Sequence, residues 1–135
     1  MKKIYVCLLL LGLSACVTVK DDVLGNSASQ LQTRNYQSRS FDTTDRDLVL
    51  RSVISTMQDL GFIIDKADKT LGTISGTSYS FGASKLTVSI RKNGKQIIVR
   101  ANAQKGLNAI DDPIPYQNFF ESLNKSLFLE AHEVQ

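Results

Sequence analysis

Residues 85–103 read Lys-Leu-Thr-Val-Ser-Ile-Arg-Lys-Asn-Gly-Lys-Gln-Ile-Ile-Val-Arg-Ala-Asn-Ala, and this stretch decides the fold. Apolar and polar side chains alternate on both sides of Asn93-Gly94, a dipeptide typical of two-residue β-hairpin turns. A turn at this dipeptide puts the apolar side chains of both strands on one face. The predicted cross-strand pairs are Ile90 with Ile97, Val88 with Val99 and Leu86 with Ala101.

The opposite face of this hairpin is predicted to be polar. Three cationic side chains, Lys85, Arg91 and Arg100, lie on it among Ser, Thr, Asn and Gln residues. Antiparallel sheets commonly expose one face to water, so an ordinary hydrated surface is one interpretation. A surface that binds a partner is the other, and the sequence leaves both open.

Two helices are predicted, one before the strands and one after them. The first spans about residues 45–60, with Asp or Thr as its cap and Gly61-Phe62 as its stop signal. Its apolar stripe is expected to face the core, while Ser52 is among the residues expected to face away. The second begins near Pro113, after an Asp cap, and its apolar residues continue at helical spacing to Ala131.

The remaining periodic segments are predicted strands. Residues 62–67 and 71–77 alternate in polarity, and residues 36–41 do so weakly. The connections between consecutive strands are short, which favours antiparallel neighbours. The fold class is therefore expected to be α+β: a two-layer sandwich with a four- to five-stranded antiparallel sheet and two helices on one face.

The N-terminus has the layout of an export signal. Lys2-Lys3 is positive, Ile4 to Leu11 is apolar, and the small residues Ser14-Ala15 stand where a signal peptidase cleaves. A membrane-spanning helix needs about 20 apolar residues, and Ser14 interrupts the run before that length. We therefore expect residues 1–15 to be a signal peptide.

The residues Leu13-Ser14-Ala15-Cys16 resemble the lipobox of bacterial lipoproteins. That resemblance implies cleavage before Cys16, a diacylglycerol thioether on its sulfur and an acylated amino group, with palmitate as the marker. A non-lipidated signal with an incidental cysteine is the alternative. Val17, rather than Asp, follows the cysteine, which is similar to outer-membrane lipoproteins of enterobacteria. The expected location is the outer membrane, facing the periplasm.

Composition limits the function classes. Cleavage removes Lys2 and Lys3 from the 16 basic residues, which leaves 14 against 13 acidic ones in a mature chain of 120 residues. A nucleic-acid partner has no electrostatic basis in such a chain. We expect three parts: a signal peptide (1–15), a lipidated cysteine with a flexible tether (16–35) and a single α+β domain (36–135).

No pattern of catalytic or metal-ligating residues is found in the sequence. Cys7 leaves with the signal and Cys16 is expected to carry lipid, so no thiol remains. His132 is the sole histidine and has no placed partner, so a solvated helix end explains it best. The sequence therefore predicts no enzyme, no cofactor and no metal site.

Two irregular segments bear apolar residues and are candidate partner-binding sites. One carries Tyr79 and Phe81, and the other carries Leu107 and Ile110. Local packing beneath a loop is the plainer interpretation of these residues, and a docking surface is the other.

The order of elements resembles small helix-grip domains of periplasmic lipoproteins, including BamC-type domains of the outer-membrane barrel assembly machinery. The segment Met57 to Asp65 also resembles one found in uncharacterised bacterial lipoproteins. No functional residue carries over from either resemblance. The expected function is a membrane-anchored, non-catalytic interaction module for an envelope protein complex. The alternative is a domain that binds a lipid or a peptidoglycan fragment.

Overall fold

The computed structural model describes residues 30–80 and 82–132. The hairpin lies at the centre of an antiparallel sheet, and its strands are Ser84–Asn93 (β4) and Gln96–Lys105 (β5). A helix that includes residues 30–37 (α1) precedes the first strand. The other elements are Ser38–Phe41 (β1), Arg46–Asp59 (α2), Ile63–Asp68 (β2), Thr73–Ser78 (β3), Asn108–Ala109 (β6) and Pro113–His132 (α3). From β1 onward, these elements belong to one compact unit.

The sheet has the strand order β1-β5-β4-β3-β2, and all its pairings are antiparallel. The two-residue strand β6 pairs with the last residues of β5, beyond the part of β5 that pairs with β1. The described residues thus contain six strands, slightly more than the four to five expected. The α+β class and the antiparallel sandwich are confirmed.

The hairpin forms, but the predicted register is wrong by two residues. Asn93 pairs with Gln96, so the two central turn residues are Gly94 and Lys95. Gly94 has φ +60°, and no described residue other than glycine has a positive φ. A type I′ turn centred on Asn93-Gly94 would require positive φ at both residues, and Asn93 does not have it. A type II′ turn centred on Gly94-Lys95 requires positive φ only at Gly94. A shift of two residues keeps every side chain on its predicted face, because the period of a strand is two.

The corrected register pairs large apolar residues with small ones. Val88 lies opposite Ala101, and Leu86 lies opposite Ala103. These four side chains are buried. The faces of the hairpin are therefore as predicted, while the cross-strand partners are different.

The ends of both long helices agree with the sequence prediction. Asp45 caps α2, because its carboxylate accepts a hydrogen bond of 2.9 Å from the Leu48 amide. The amides of Gly61 and Phe62 donate to the carbonyls of Gln58 and Met57, each at 2.9 Å, which is the Schellman pattern. At the start of α3, the Asp112 carboxylate accepts from the Ile114 amide at 3.0 Å.

The core lies between the inner face of the sheet and the helices α2 and α3. The sheet, α2 and α3 each contribute fully buried apolar side chains. The buried core residues are Val49, Leu50, Val53 and Met57 from α2; Ile74, Leu86, Val88, Ile90, Ile97, Val99, Ala101 and Ala103 from the sheet; and Tyr116, Phe119, Phe120 and Leu123 from α3.

Three local predictions are wrong. Ser52 is buried rather than facing away, because α2 packs against α3 as well as against the sheet. Residues 30–35, expected to be part of a flexible tether, are helical. Tyr36 and Gln37 belong to the same helix, so the first strand begins at Ser38. The remainder of the predicted tether, Cys16 and the predicted signal peptide lie outside the described residues.

Candidate functional site

An apolar groove of about 430 Å³ opens where the end of β3, the start of β4 and the end of β5 lie against the start of α3. The two residues Leu60 and Phe62, which follow α2, form one wall of it. The other apolar lining residues are Leu86, Ala103, Ile110, Pro115, Tyr116 and Phe119. Its polar lining residues are Ser78, Ser84, Lys85, Lys105 and Asn118. This volume falls within the usual range for small-molecule sites, roughly 300–1,000 Å³.

Tyr116 builds the wall of the groove next to β5. Its ring is 1% exposed, and its hydroxyl donates to the Ile110 carbonyl at 2.7 Å. The same oxygen accepts from the Ala103 amide at 3.1 Å and from the side-chain amide of Gln37 at 3.2 Å. A phenol has one donor and two acceptor sites, so this buried group is fully satisfied.

The helix α1 is attached to this wall through aromatic and polar contacts. The ring centroids of Tyr36 and Tyr116 are 5.5 Å apart. The Tyr36 hydroxyl donates to the Asp111 carbonyl at 2.6 Å, and Gln37 is nearly fully buried. These contacts are not apparent in the sequence, because a weakly alternating segment carries no signal for a polar contact 75 or more residues away.

Two lysines give the rim of the groove a positive charge. Lys85 was predicted as part of the polar sheet face, and it also lines the groove; Lys105 was not predicted. Within residues 30–80 and 82–132, the ion pairs join Arg51 to Glu130, Lys69 to Asp47 and Lys125 to Glu121. Neither rim lysine is among them, so both charges are available to an anionic group.

The structure brings together only some of the predicted partner-binding residues. Ile110 lines the groove and packs against the core. Leu107 is 100% exposed in the turn between β5 and β6, and Tyr79 is 69% exposed, so neither contributes to the groove. Phe81 lies outside the described residues.

Arg91 and Arg100 lie apart from the groove, in a smaller hollow of about 170 Å³ on the sheet. Ser38, Ser89 and Ile98 complete its lining. The Nε atom of Arg100 is buried, and none of the described residues offers it a hydrogen-bond acceptor. We call this site the arginine hollow.

Strand β2 leaves one edge of the sheet open. Among the described strands it pairs only with β3, and a bulge interrupts its register between Ile64 and Lys66. Ile63, at its start, is 63% exposed. Phe62, the residue before it, lines the groove, so the open edge runs up to the groove.

Side chains that could ligate a metal are dispersed among the residues that the structure describes. None of their His, Cys, Asp and Glu side chains form a group of three that could hold a metal ion. The Nδ1 atom of His132 lies 2.7 Å from the Phe128 carbonyl, one turn earlier in α3, and its ring packs on the Phe128 ring.

None of the described helices has the length and apolar character needed to cross a membrane.

Comparisons with known proteins identify no family for this chain. No protein-family model matches the sequence, and no curated protein matches it significantly.

Proposed function

We propose that this chain is a lipid-anchored protein of the bacterial outer membrane whose domain is a non-catalytic protein-interaction module. The lipobox-like residues ending in Cys16 support the anchor. The observation that carries the interaction role is the open edge of β2, which runs into the apolar groove at Phe62. An exposed strand edge presents unpaired backbone donors and acceptors, which is the surface that proteins use for strand addition.

The partner that fits this surface is an extended segment of another envelope protein. Its backbone pairs with β2 on either side of the bulge between Ile64 and Lys66, and an apolar side chain at its end enters the groove beyond Phe62. Lys85 and Lys105 at the rim favour a carboxylate next to that apolar side chain. In this mode the backbone pairing supplies affinity, and the groove supplies specificity.

Site-specific photocrosslinking in intact cells tests this proposal. A photoreactive phenylalanine analogue at Ile63 is expected to trap one envelope protein. The matched control is the same analogue at Leu71, which is 68% exposed in the turn after β2.

Charge variants test the role of the rim lysines. The yield of the crosslinked product from position 63 should fall in a Lys85→Glu/Lys105→Glu double variant but not in Lys92→Glu, since Lys92 lies outside the groove. Equal products from positions 63 and 71 would contradict strand addition at β2.

A second candidate function is the binding of a small amphiphile in the groove. The volume, the apolar lining and the two rim lysines together favour an acyl chain with an anionic head, which is a lipid rather than a peptidoglycan fragment. This candidate requires no open strand edge, so it is separable from the first.

Native mass spectrometry of the full chain, released from detergent, tests this second candidate. A bound small molecule should be lost in Asn118→Trp, because Asn118 lines the groove and a larger side chain fills it. Gln117→Trp is the matched control, since Gln117 is exposed on the same helix and does not line the groove. A ligand that survives Asn118→Trp binds elsewhere, and the absence of any ligand rules this candidate out.

A further inference from the structure

We propose that the arginine hollow binds a phosphate group. It is built on the outer face of the sheet, and it shares no lining residue with the groove. The inference is therefore independent of the proposed interaction with a partner strand.

The register of the sheet places the hollow's donors together. Arg100 of β5 lies directly opposite Ser38 of β1 on one side and Ser89 of β4 on the other. Directly opposed residues point to the same face, so two hydroxyls flank the Arg100 stem. Arg91 lies opposite Ile98, two residues from Arg100 along β5, which places the two arginines at diagonal positions on neighbouring strands. Diagonal neighbours are about 7–8 Å apart, within reach of long side chains.

Arg100 has an unmet need for an acceptor. Its Nε–H group is buried, and no residue within 30–80 or 82–132 accepts a hydrogen bond from it. Buried donors in native proteins are nearly always paired, and an unpaired one commonly marks the place of an ion or water. None of the hollow's five lining residues is acidic, and neither arginine takes part in an ion pair with a described residue. An anion in the hollow would supply the missing acceptor.

Charge and donor number favour phosphate over a carboxylate. Two guanidinium groups bring two positive charges and forked N–H donors, and the serine hydroxyls add two more donors. A phosphate monoester carries about −1.5 to −2 charges at pH 7 and three terminal oxygens, whereas a carboxylate has one charge and two oxygens. Ile98 forms an apolar wall, which strengthens the electrostatic attraction within the hollow.

The experiment uses the full chain in a non-ionic detergent and observes the arginine Nε–Hε resonances by NMR. Sodium phosphate is titrated at constant ionic strength, and soluble dihexanoyl phosphatidic acid, whose headgroup is a phosphate monoester, is titrated in a parallel sample. Saturable shifts of the Arg91 and Arg100 signals are expected. A response to inorganic phosphate identifies a free phosphate as sufficient, and a response to the lipid alone identifies a headgroup phosphate.

Matched variants separate the hollow from general surface charge. Arg100→Gln should weaken binding tenfold or more, because a hydrogen bond to a charged group is lost. Arg91→Lys should weaken it less, since the charge remains but the fork does not. Lys92→Gln removes the same charge beside Arg91, outside the hollow, and should leave the affinity unchanged. The proposal would be overturned if neither probe gave saturable shifts of the arginine signals. Equal losses of affinity in Arg100→Gln and Lys92→Gln would also overturn it.

Discussion

The hydroxyl oxygen of Tyr116 lies 3.1 Å from the backbone nitrogen of Ala103 and accepts its hydrogen bond. Ala103 lies on β5 beyond the residues that pair with β1 and just before those that pair with β6. The carbonyl of Ala103 is satisfied on the same edge by the Ile110 amide, at 2.9 Å. A side chain of α3 and a loop residue thus complete the hydrogen bonding of β5 where no strand covers it.

Tyr116→Phe should destabilise the domain while leaving its shape unchanged. The substitution removes one oxygen and leaves the Ala103 amide, the Ile110 carbonyl and the Gln37 amide without that partner. A buried donor or acceptor left unpaired costs about 1–3 kcal/mol. Urea denaturation measures the change in the free energy of unfolding. Tyr79→Phe is the control, because Tyr79 is exposed and should change stability by less than about 0.5 kcal/mol. Equal effects of the two substitutions would show that the hydroxyl network is unimportant.

Gly72→Ala should be among the most damaging single-methyl additions. Gly72 has φ +71°, and an added Cβ would lie 2.7 Å from the Ile90 carbonyl oxygen, a backbone atom that cannot move aside. Positive φ and steric overlap together should cost about 2–5 kcal/mol.

The control for this substitution is Gly94→Ala. Gly94 also has positive φ, but an added Cβ would meet none of the described residues within 4 Å, so only the backbone cost of about 1–2 kcal/mol applies. The difference in melting temperature between the two variants measures the overlap alone. Similar melting temperatures would contradict the close approach of Gly72 to β4.

The pKa of the Asp47 carboxyl is lowered, first by its hydrogen bond with the Lys69 ammonium, and this gives a pH dependence with a definite sign. The two groups are 3.0 Å apart. Because the folded pKa lies below the unfolded value, the stabilisation is present above the unfolded pKa and is lost as the pH falls through the folded pKa.

Lys69→Gln should therefore raise the Asp47 pKa toward its ordinary value. An NMR titration of the side-chain carboxyl carbon between about pH 2 and 6 measures this change. Lys125→Gln should leave the Asp47 pKa where it is, since Lys125 pairs with Glu121 instead. The effect on overall stability should be small, because both side chains are largely exposed.

Cys16→Ser should leave an unprocessed or soluble precursor. The lipobox-like sequence predicts that the Cys16 sulfur carries the diacylglycerol group, and several acyl chains are needed for firm anchoring. Palmitate labelling and membrane fractionation measure the outcome. The comparison is Ser14→Ala, which keeps a small residue before the cysteine and should still be labelled. Unchanged labelling of Cys16→Ser would require the anchor to be elsewhere.

Much of the fold was predictable because its signals are local. Alternation over 85–103 predicted the buried and exposed faces of the hairpin, and capping residues predicted both long helices within one or two positions. The register was not predictable from the Asn93-Gly94 dipeptide alone, because two turns that differ by one position bury the same side chains. Of the predicted site residues, Ile110 and Lys85 meet in the groove, while Arg91 and Arg100 meet in the hollow.

The sequence by itself determined which apolar side chains of the hairpin are buried and where the long helices begin and end, because period and capping depend on residues close in the chain. Only the tertiary structure decided which distant groups meet. Tyr116 reads as one more apolar position of α3, yet its hydroxyl joins Gln37, Ala103 and Ile110. Likewise, the unpaired Nε–H of Arg100 exists only because three strands pack around it. Burial raises the free-energy cost of leaving such polar groups unpaired, since water no longer supplies the partner.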